Sequence, residues 1–143
     1  MKIAIASDHG GYALKEVLKN HLIQRGFETV DLGTDSEESV DYPIFGKQCG
    51  EAVASGKVQR GIVCCGTGIG VSIAANKVKG IRCALCVDEH MAEMSRKHND
   101  ANMLALGGRM LETEEATRIT DIWLDTEFEG ERHKRRVDML NEM

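Results

Sequence analysis

Short apolar runs alternate with amphipathic stretches along the whole chain. The runs have the length of β-strands, and the one at 62–65 is apolar throughout, as expected of a strand that is buried on both faces. The run at 27–32 carries acidic residues, which suit a less buried position near a sheet edge. Strands are therefore predicted at 3–7, 27–32, 62–65, 81–87 and 103–106.

The amphipathic stretches between these runs predict helices. In the first of them, Leu14, Val17, Leu18 and Leu22 form one apolar stripe, and Gly26 ends the helix. Further helices are predicted to start near Pro43, after Gly70 and at Glu131. Two more are predicted to follow Asp88 and Thr113, which would be their N-caps. This alternation predicts an α/β fold with one domain over 1–143, a three-layer, doubly wound, Rossmann-like arrangement of a five-stranded parallel sheet flanked by helices.

The third strand runs into the most distinctive sequence of the chain, CGTGIG at 65–70. Ligands of doubly wound sheets bind beyond the carboxyl ends of the strands, so this loop is well placed. Its alternating glycines let successive N–H groups point the same way, and the following helix adds free N–H groups and its positive dipole end. The loop is predicted to bind an anion with the Cys65 thiol on its rim, the alternative being an ordinary turn beside a buried cysteine.

Other glycine-rich sites fit this loop less well. A P-loop needs Gly-Lys-Ser/Thr, which is absent. A dinucleotide fingerprint needs G-x-G-x-x-G, whereas here the third glycine comes one residue early and Val71 takes its place, although Asp88 lies where a ribose-binding acid would. A small phosphorylated or anionic intermediate fits better than a nucleotide, and no cofactor is predicted.

The cysteines fall into two groups. Cys65 lies between a strand and a helix N-terminus, a position that favours a thiolate able to act as nucleophile or proton acceptor. Its neighbour Cys64 points to the opposite face of the strand and is predicted to pack. Cys83 and Cys86 have the CxxC spacing, but they lie inside an apolar run and are predicted to face the core and not to form a redox pair.

Composition restricts the partners of the protein. A formal net charge of -5 and an aromatic content of 4% argue against binding to nucleic acid. The first apolar run is too short for a signal peptide or a membrane span. Five cysteines, an odd number, fit a reducing compartment, so a cytoplasmic location without a membrane partner is predicted.

A cationic cluster lies near the end of the chain, in GERHKRRV at 130–137. Arg132 and Arg136 share one helix face and either hold a phosphate through forked hydrogen bonds or belong to a solvated surface. His98, in a polar loop predicted over HNDAN, and His9, in SDHGG, are likewise either functional or solvated. No group of side chains has the spacing of a known metal site, so no metal is predicted.

Five motifs together carry a resemblance: SDHGG, DYP, CGTGIG with SIAANK, HNDAN and GERHKRRV. In this order they resemble the ribose-5-phosphate isomerase B family, to whose superfamily the galactose-6-phosphate isomerase subunits belong. The resemblance covers essentially the whole chain. It implies an aldose–ketose isomerase that interconverts D-ribose 5-phosphate and D-ribulose 5-phosphate through an enediolate without metal or cofactor. It also implies a homodimer or homotetramer with a shared active site, and the C-terminal helix at about 131–143 is compatible with a place at the dimer interface.

The resemblance assigns a role to each matching residue. Cys65 matches the catalytic base, His98 matches the group that opens the furanose ring, and Thr67 assists proton movement on the oxygens. The residues expected to contact the substrate are Asp8, His9, Tyr42, Gly66, Thr67, Gly68, Ile69, Gly70 and Asn99, with Arg109, Arg132 and Arg136 as the phosphate clamp.

Two other functions stay open at this point. One is an isomerase of a six-carbon sugar phosphate, such as allose 6-phosphate or galactose 6-phosphate, because the C-terminal VDMLNEM is similar to the tail of a galactose-6-phosphate isomerase subunit. The other is a non-catalytic module that binds a sugar phosphate or a nucleotide.

Overall fold

A five-stranded parallel sheet forms the centre of the protein in the computed structural model, which describes residues 1–143. Its strands lie in the order β2-β1-β3-β5-β4. In chain order they are β1 (Lys2–Ser7), β2 (Glu28–Asp31), β3 (Arg60–Cys65), β4 (Cys83–Leu85) and β5 (Met103–Gly107). This arrangement confirms the predicted fold class and the edge position of β2.

Helices connect the strands and cover both faces of the sheet. They are α1 (Tyr12–Gln24), α2 (Tyr42–Ala54), α3 (Ile69–Asn76), α4 (Glu89–Asn99), α5 (Thr113–Asp125) and α6 (Arg132–Asn141). Asp88 caps α4 as predicted, since its side chain accepts a hydrogen bond from the Met91 N–H at 2.8 Å. Thr113, predicted as a cap, is instead the first residue of α5, and Glu112 precedes it. No helix combines the length and the apolar character that a membrane crossing requires.

Two apolar layers flank the sheet because side chains along each strand point alternately to opposite faces. On β3, Ile62 and Cys64 face one layer, with α1 and α5, and Val63 and Cys65 face the other, with α2 and α3. The predicted stripe of α1 holds at Leu14, Leu18 and Leu22, but Val17 is 40% exposed and lies outside the core.

The strand predicted at 81–87 is shorter in the structure, where β4 covers only Cys83–Leu85. The side-chain amide of Asn76 bonds both the N–H and the C=O of Cys83, at 2.7 and 3.0 Å. These bonds close the outer side of β4, and a short, covered edge strand gives little opportunity for pairing with other chains. Cys86, beyond the end of β4, remains in the core as predicted.

The strand order reverses between β1 and β3, since β2 lies on one side of this pair and β5 on the other. In doubly wound sheets, ligands bind outside the carboxyl ends of the strands at this switch point. Ser7 at the end of β1 lies beside Cys64 of β3. The fold therefore indicates that the loops after β1 and β3 border the ligand site.

A buried lysine anchors the loop after β2. Lys15 is 1% exposed, and its Nζ donates to both Asp31 carboxylate oxygens at 2.9 Å and to the Thr34 carbonyl at 2.7 Å. Burial alone raises the pKa of Asp31, but hydrogen bonds from Lys15, the Gly33 N–H and Lys19 outweigh it and lower the pKa below its ordinary value.

Asp31→Asn is expected to lower the free energy of unfolding at neutral pH by about 1 kcal/mol, because the ion pair is partly screened by water. The pKa of Asp31 is lower in the folded protein than in the unfolded chain, where it is near 3.8, so the ionised carboxylate stabilises the protein at pH values above 3.8. This stabilisation is lost as the pH falls through the folded-state pKa. The difference between wild type and variant should therefore shrink below about pH 4. Urea unfolding across this range measures it, with exposed Asp35→Asn as control; a pH-independent difference would contradict the assignment.

Candidate active site

Cys65 ends β3 and lies beneath the glycine-rich loop that follows it. The residue is 5% exposed and packs in the layer that contains Val71 and Ala105. The prediction that the thiol lies on the rim of the loop is therefore wrong. Its Sγ accepts a hydrogen bond from the Gly68 N–H at 3.1 Å. This donor stabilises negative charge on the sulfur, which is what a catalytic thiolate needs.

The loop owes its shape to Gly68, which has a φ of 83°. A Cβ at this position would lie 2.6 Å from Leu85 Cδ1 and 2.9 Å from the Leu106 carbonyl carbon, so only glycine fits without displacement. The turn directs the Gly68 N–H towards the sulfur, and the Ile69 N–H donates to Thr67 Oγ1 at 3.2 Å.

The remaining amides of this loop are free to bind a ligand. Those of Gly66, Thr67 and Gly70 have no hydrogen-bond acceptor within the chain. Contact with the ligand is predicted from sequence for every residue from Gly66 to Gly70, whereas the amides of Gly68 and Ile69 bond acceptors within the chain. Free N–H groups in a loop that leads into a helix N-terminus are suited to bind an anion.

Asp8 and His9 lie beside this loop because β1 and β3 are neighbours. Asp8 is 7% exposed, and its Oδ1 accepts from the Gly11 N–H at 3.1 Å, which caps a short 3-10 turn over His9–Gly11. His9 Nδ1 accepts from the Val40 N–H at 3.1 Å. A neutral His9 therefore carries its proton on Nε2, which leaves that atom as the donor towards a ligand.

Tyr42 and Arg109 complete the group at the carboxyl edge of the sheet. The Tyr42 ring occupies the space over Gly70, where a Cβ would approach Cε1 to 2.6 Å. The Arg109 side chain lies over Gly66 and Gly10: Cβ atoms there would be 3.2 Å from its Nη1 and 3.4 Å from its Cζ. Both predicted substrate-binding residues thus border the same loop.

His98 lies in the last turn of α4, which extends to Asn99, and not in a loop as predicted. The helix continues through this polar segment and ends at Asp100, which adopts a left-handed conformation with φ 46°. The ring of His98 stacks on that of His133, with 4.2 Å between centroids and 14° between planes. The Asn99 carbonyl accepts from Arg82 Nε at 3.0 Å.

These residues lie at the amino edge of the sheet, opposite Cys65. Residues 100–102 lead from α4 directly into β5, whose first residue, Met103, pairs with Gly61, while its last, Gly107, pairs with Cys65. The two edges are therefore about 13 Å apart along β3. Since α6 packs on α4, Arg132 also lies on the amino-edge side, next to His133.

The predicted site therefore divides into two groups within one chain. The carboxyl-edge group gathers Asp8, His9, Tyr42, Cys65, Gly66, Thr67, Gly68, Ile69, Gly70 and Arg109. The amino-edge group gathers His98, Asn99, Arg132 and Arg136. A single chain does not bring His98 to Cys65.

Sequence reasoning missed His133 and Glu129, which join the amino-edge group. His133 is 6% exposed and forms the buried stripe of α6 with Val137, whereas Leu140, further along the same helix, is 45% exposed. Burial lowers the pKa of His133, and the positive charge of Arg132 lowers it further. The spacing of four residues between His133 and Val137 is the signal that could have revealed this burial.

The remaining cysteines fit a structural role. All five cysteines are unpaired, including Cys83 and Cys86. Burial raises the pKa of Cys86 to about 11 and that of Cys49 to about 12, so both thiols stay protonated at neutral pH. The opposite shift would be needed for a redox-active CxxC pair.

Comparison with known proteins identifies the family. A family model described as Ribose/Galactose Isomerase matches residues 3–140. The chain is 48% identical to "Ribose-5-phosphate isomerase B" of Escherichia coli strain K12 over 139 residues, which cover 97% of this chain and 93% of that protein.

Solved structures agree with this match. The ribose-5-phosphate isomerase B of Clostridium thermocellum is 57% identical, with a TM-score of 0.98 over 99% of this chain and 96% of that one. The Mycoplasma genitalium enzyme, solved with bound ribulose-5-phosphate, is 42% identical, with a TM-score of 0.94 over 99% of this chain and 94% of that one. The chain therefore belongs to the ribose/galactose isomerase family, among its ribose-5-phosphate isomerase B members.

Proposed function

We propose that this protein interconverts D-ribose 5-phosphate and D-ribulose 5-phosphate through an enediolate. The observation that carries the proposal is the Cys65 sulfur, held at 3.1 Å by the Gly68 N–H at the switch point of the sheet and below amides that have no internal acceptor. Relatives at 40–57% identity over nearly the full chain bear the name of this activity.

Cys65 is the base in this scheme. Its thiolate takes the proton from C2 of the open-chain aldose, which gives the enediolate, and the thiol then returns a proton to C1 to give the ketose. Thr67 moves the proton between the two oxygens. The free amides of the loop stabilise the negative charge that develops on oxygen, where each donor is typically worth about a hundredfold or more in rate.

Substrate positioning falls to the side chains around the loop. Asp8 and the Nε2–H of His9 bond the sugar hydroxyls, and the Tyr42 ring packs against the sugar. His98 moves the proton that opens the furanose ring, and Asn99 binds beside it. The scheme uses only side chains and amides of the protein, so we propose no cofactor, and the unpaired cysteines support a cytoplasmic enzyme.

The active unit in this proposal is a homodimer, free or within a tetramer, with each site shared between two copies. The support is the division of the site: Cys65 lies at the carboxyl edge and His98 at the amino edge of one chain. Exposed apolar side chains border the loop, with Ile69 51% and Ile73 55% exposed on α3. A second copy that covers this face would place its own His98, Arg132 and Arg136 next to Cys65.

Assays on sugars of different length test the proposed substrate. We expect turnover of ribose 5-phosphate with a higher kcat/KM than that of allose 6-phosphate or galactose 6-phosphate. A higher kcat/KM for one of the six-carbon sugar phosphates would identify that sugar phosphate as the substrate instead. Thermal stabilisation by each sugar phosphate without any turnover would identify a binding module instead.

Arg136→Ala is expected to raise KM for ribose 5-phosphate by about ten- to a hundredfold with a much smaller change in kcat, because a remote phosphate contact binds substrate and transition state alike. Lys134→Ala is the matched control, since Lys134 is exposed on the same helix and, two residues from both Arg132 and Arg136, lies on the opposite face. Steady-state kinetics on both variants measure the effect. Equal changes in the two variants would argue against the clamp.

A further inference from the structure

The imidazole ring of His98 is covered on one face by the ring of His133. The two ring centroids are 4.2 Å apart, and the ring planes are inclined by only 14°. His98 lies in the last turn of α4 and His133 in the first turn of α6, so the stack joins two helices. The His98 side chain remains 39% exposed, so part of its ring is accessible to a ligand.

His133 contributes the face of its ring to this contact. The residue is 6% exposed, and its Nε2 is buried without a hydrogen-bond partner. A buried polar atom without a partner costs stability, so hydrogen bonding by Nε2 gives no reason for a histidine at this position. The stack on His98 is the contact that requires a flat ring.

The charge state of His133 suits this contact. Burial lowers the pKa of His133, and the positive charges of Arg132 and of a protonated His98 lower it further. His133 is therefore neutral when His98 carries an extra proton. A neutral ring does not repel the imidazolium form of His98, whereas a second positive charge at this distance would.

Hydrogen bonds fix the segment before α6 to the last turns of α4. The Glu129 N–H donates to the Lys97 carbonyl at 3.1 Å. The buried Arg96 donates from Nε to the Thr126 carbonyl at 3.2 Å. The two helices that carry the stacked rings are therefore held in place by contacts other than the stack.

The turn into α6 has a strained backbone. Gly130 has a φ of 71°, and Glu131, which follows it, has a φ of 52° and a ψ of -127°. A residue with a side chain rarely adopts a positive φ, and such conformations persist where the surrounding structure enforces them, most often near functional sites. This turn sets the start of α6 and with it the position of His133, two residues further on.

We propose that His133 is a positioning residue, whose buried neutral ring fixes the plane of the His98 imidazole for opening of the sugar ring. His98 moves the ring-opening proton in the proposed function, on which this role of His133 rests. Proton transfer requires alignment of the donor with the receiving oxygen, and a misplacement of about 1 Å can cost about a hundredfold in rate. His133 itself transfers no proton.

One half of the reaction bypasses ring opening and therefore separates the two steps. Ribulose 5-phosphate is acyclic, because the hydroxyl that would close its ring carries the phosphate. Its C1 proton exchanges with solvent through the enediolate, without ring opening. Uptake of deuterium at C1 of ribulose 5-phosphate in heavy water thus measures the Cys65 step, whereas turnover of ribose 5-phosphate needs both steps.

Two apolar substitutions of His133 test the role of its flat ring. His133→Leu fills the buried space without a flat face, and we expect kcat on ribose 5-phosphate to fall about ten- to a hundredfold while C1 exchange stays within a few-fold of wild type. His133→Phe keeps a flat ring and should restore kcat to within a few-fold of wild type. Both variants remove the unpaired nitrogen and should unfold at or above the wild-type Tm.

Val137→Ala is the matched control, because Val137 is the other buried side chain of α6. It should lower the Tm through a small cavity and leave turnover and exchange within a few-fold of wild type. His133→Met, which also lacks a flat ring, replaces the leucine variant if that variant does not fold.

The comparison of the variants decides the role of His133. Turnover of ribose 5-phosphate by His133→Leu within a few-fold of wild type would overturn it. An equal loss of turnover and exchange would also overturn it, as would a phenylalanine variant as slow as the leucine variant. The wild type decides the proposed function: a protein with neither turnover nor exchange would overturn that function and the role of His133 with it.

Discussion

Replacing Cys65 with alanine is expected to lower kcat on ribose 5-phosphate by about a thousandfold, the scale of a positioned general base. Besides its packing in the core layer, the sulfur accepts a hydrogen bond from the Gly68 N–H at 3.1 Å. Loss of the side chain leaves the glycine turn in place, because Gly68 is fixed by contacts with Leu85 and Leu106. KM should change little if the phosphate and hydroxyl contacts survive.

Cys64→Ala is the matched control for this experiment. Cys64 precedes Cys65 on the same strand but is 0% exposed on the opposite face, where burial raises its pKa well above the ordinary value. We expect this variant to lose some stability through a small cavity and to keep kcat within a few-fold of wild type. Thermal unfolding of both variants separates stability from catalysis. Activity of Cys65→Ala within a few-fold of wild type would remove Cys65 from the role of base.

The fold could be predicted from sequence because strand and helix signals are local. Runs of strand length separated by helical stripes gave all five strands, and the shortest, β4, had the largest error in its bounds. The segment at His98 was predicted as a loop because its residues are polar. It is helical in the structure because a helix end on the surface tolerates polar residues, and the helix stops only where Asp100 turns left-handed.

The parts of the site that depend on tertiary packing could not be predicted from the sequence. Residues that follow neighbouring strands, such as Asp8 and Cys65, meet at one edge by the rules of parallel sheets, so their proximity was predictable. The hydrogen bond to the Cys65 sulfur depends on the direction of a single N–H at Gly68, which the turn sets and the sequence does not reveal. The pairing of His98 with His133 joins residues 35 positions apart on two helices, and no local pattern encodes it.

The separation of Cys65 and His98 leads to a second large effect, in mixtures of two inactive proteins. In a shared site, Cys65 comes from one copy and His98 from the other, so Cys65→Ala and His98→Gln homodimers each lack one catalytic group in both sites. A heterodimer of the two variants has one site with both defects and one site with neither. The intact site combines Cys65 of the His98→Gln chain with His98 of the Cys65→Ala chain.

Equal amounts of the two variants, unfolded together and refolded, should therefore recover about a quarter of wild-type activity. Random pairing makes half of the dimers heterodimers, and half of the sites in each are intact. Each variant refolded alone is the control and should stay at its own low kcat, and Cys64→Ala mixed with His98→Gln should show the additive average of the two. A site contained within one chain would give no recovery on mixing, because each chain would still lack one group. That outcome would require His98 to cross from the amino edge to the carboxyl edge of its own sheet, about 13 Å along β3, and would remove the shared site from the mechanism.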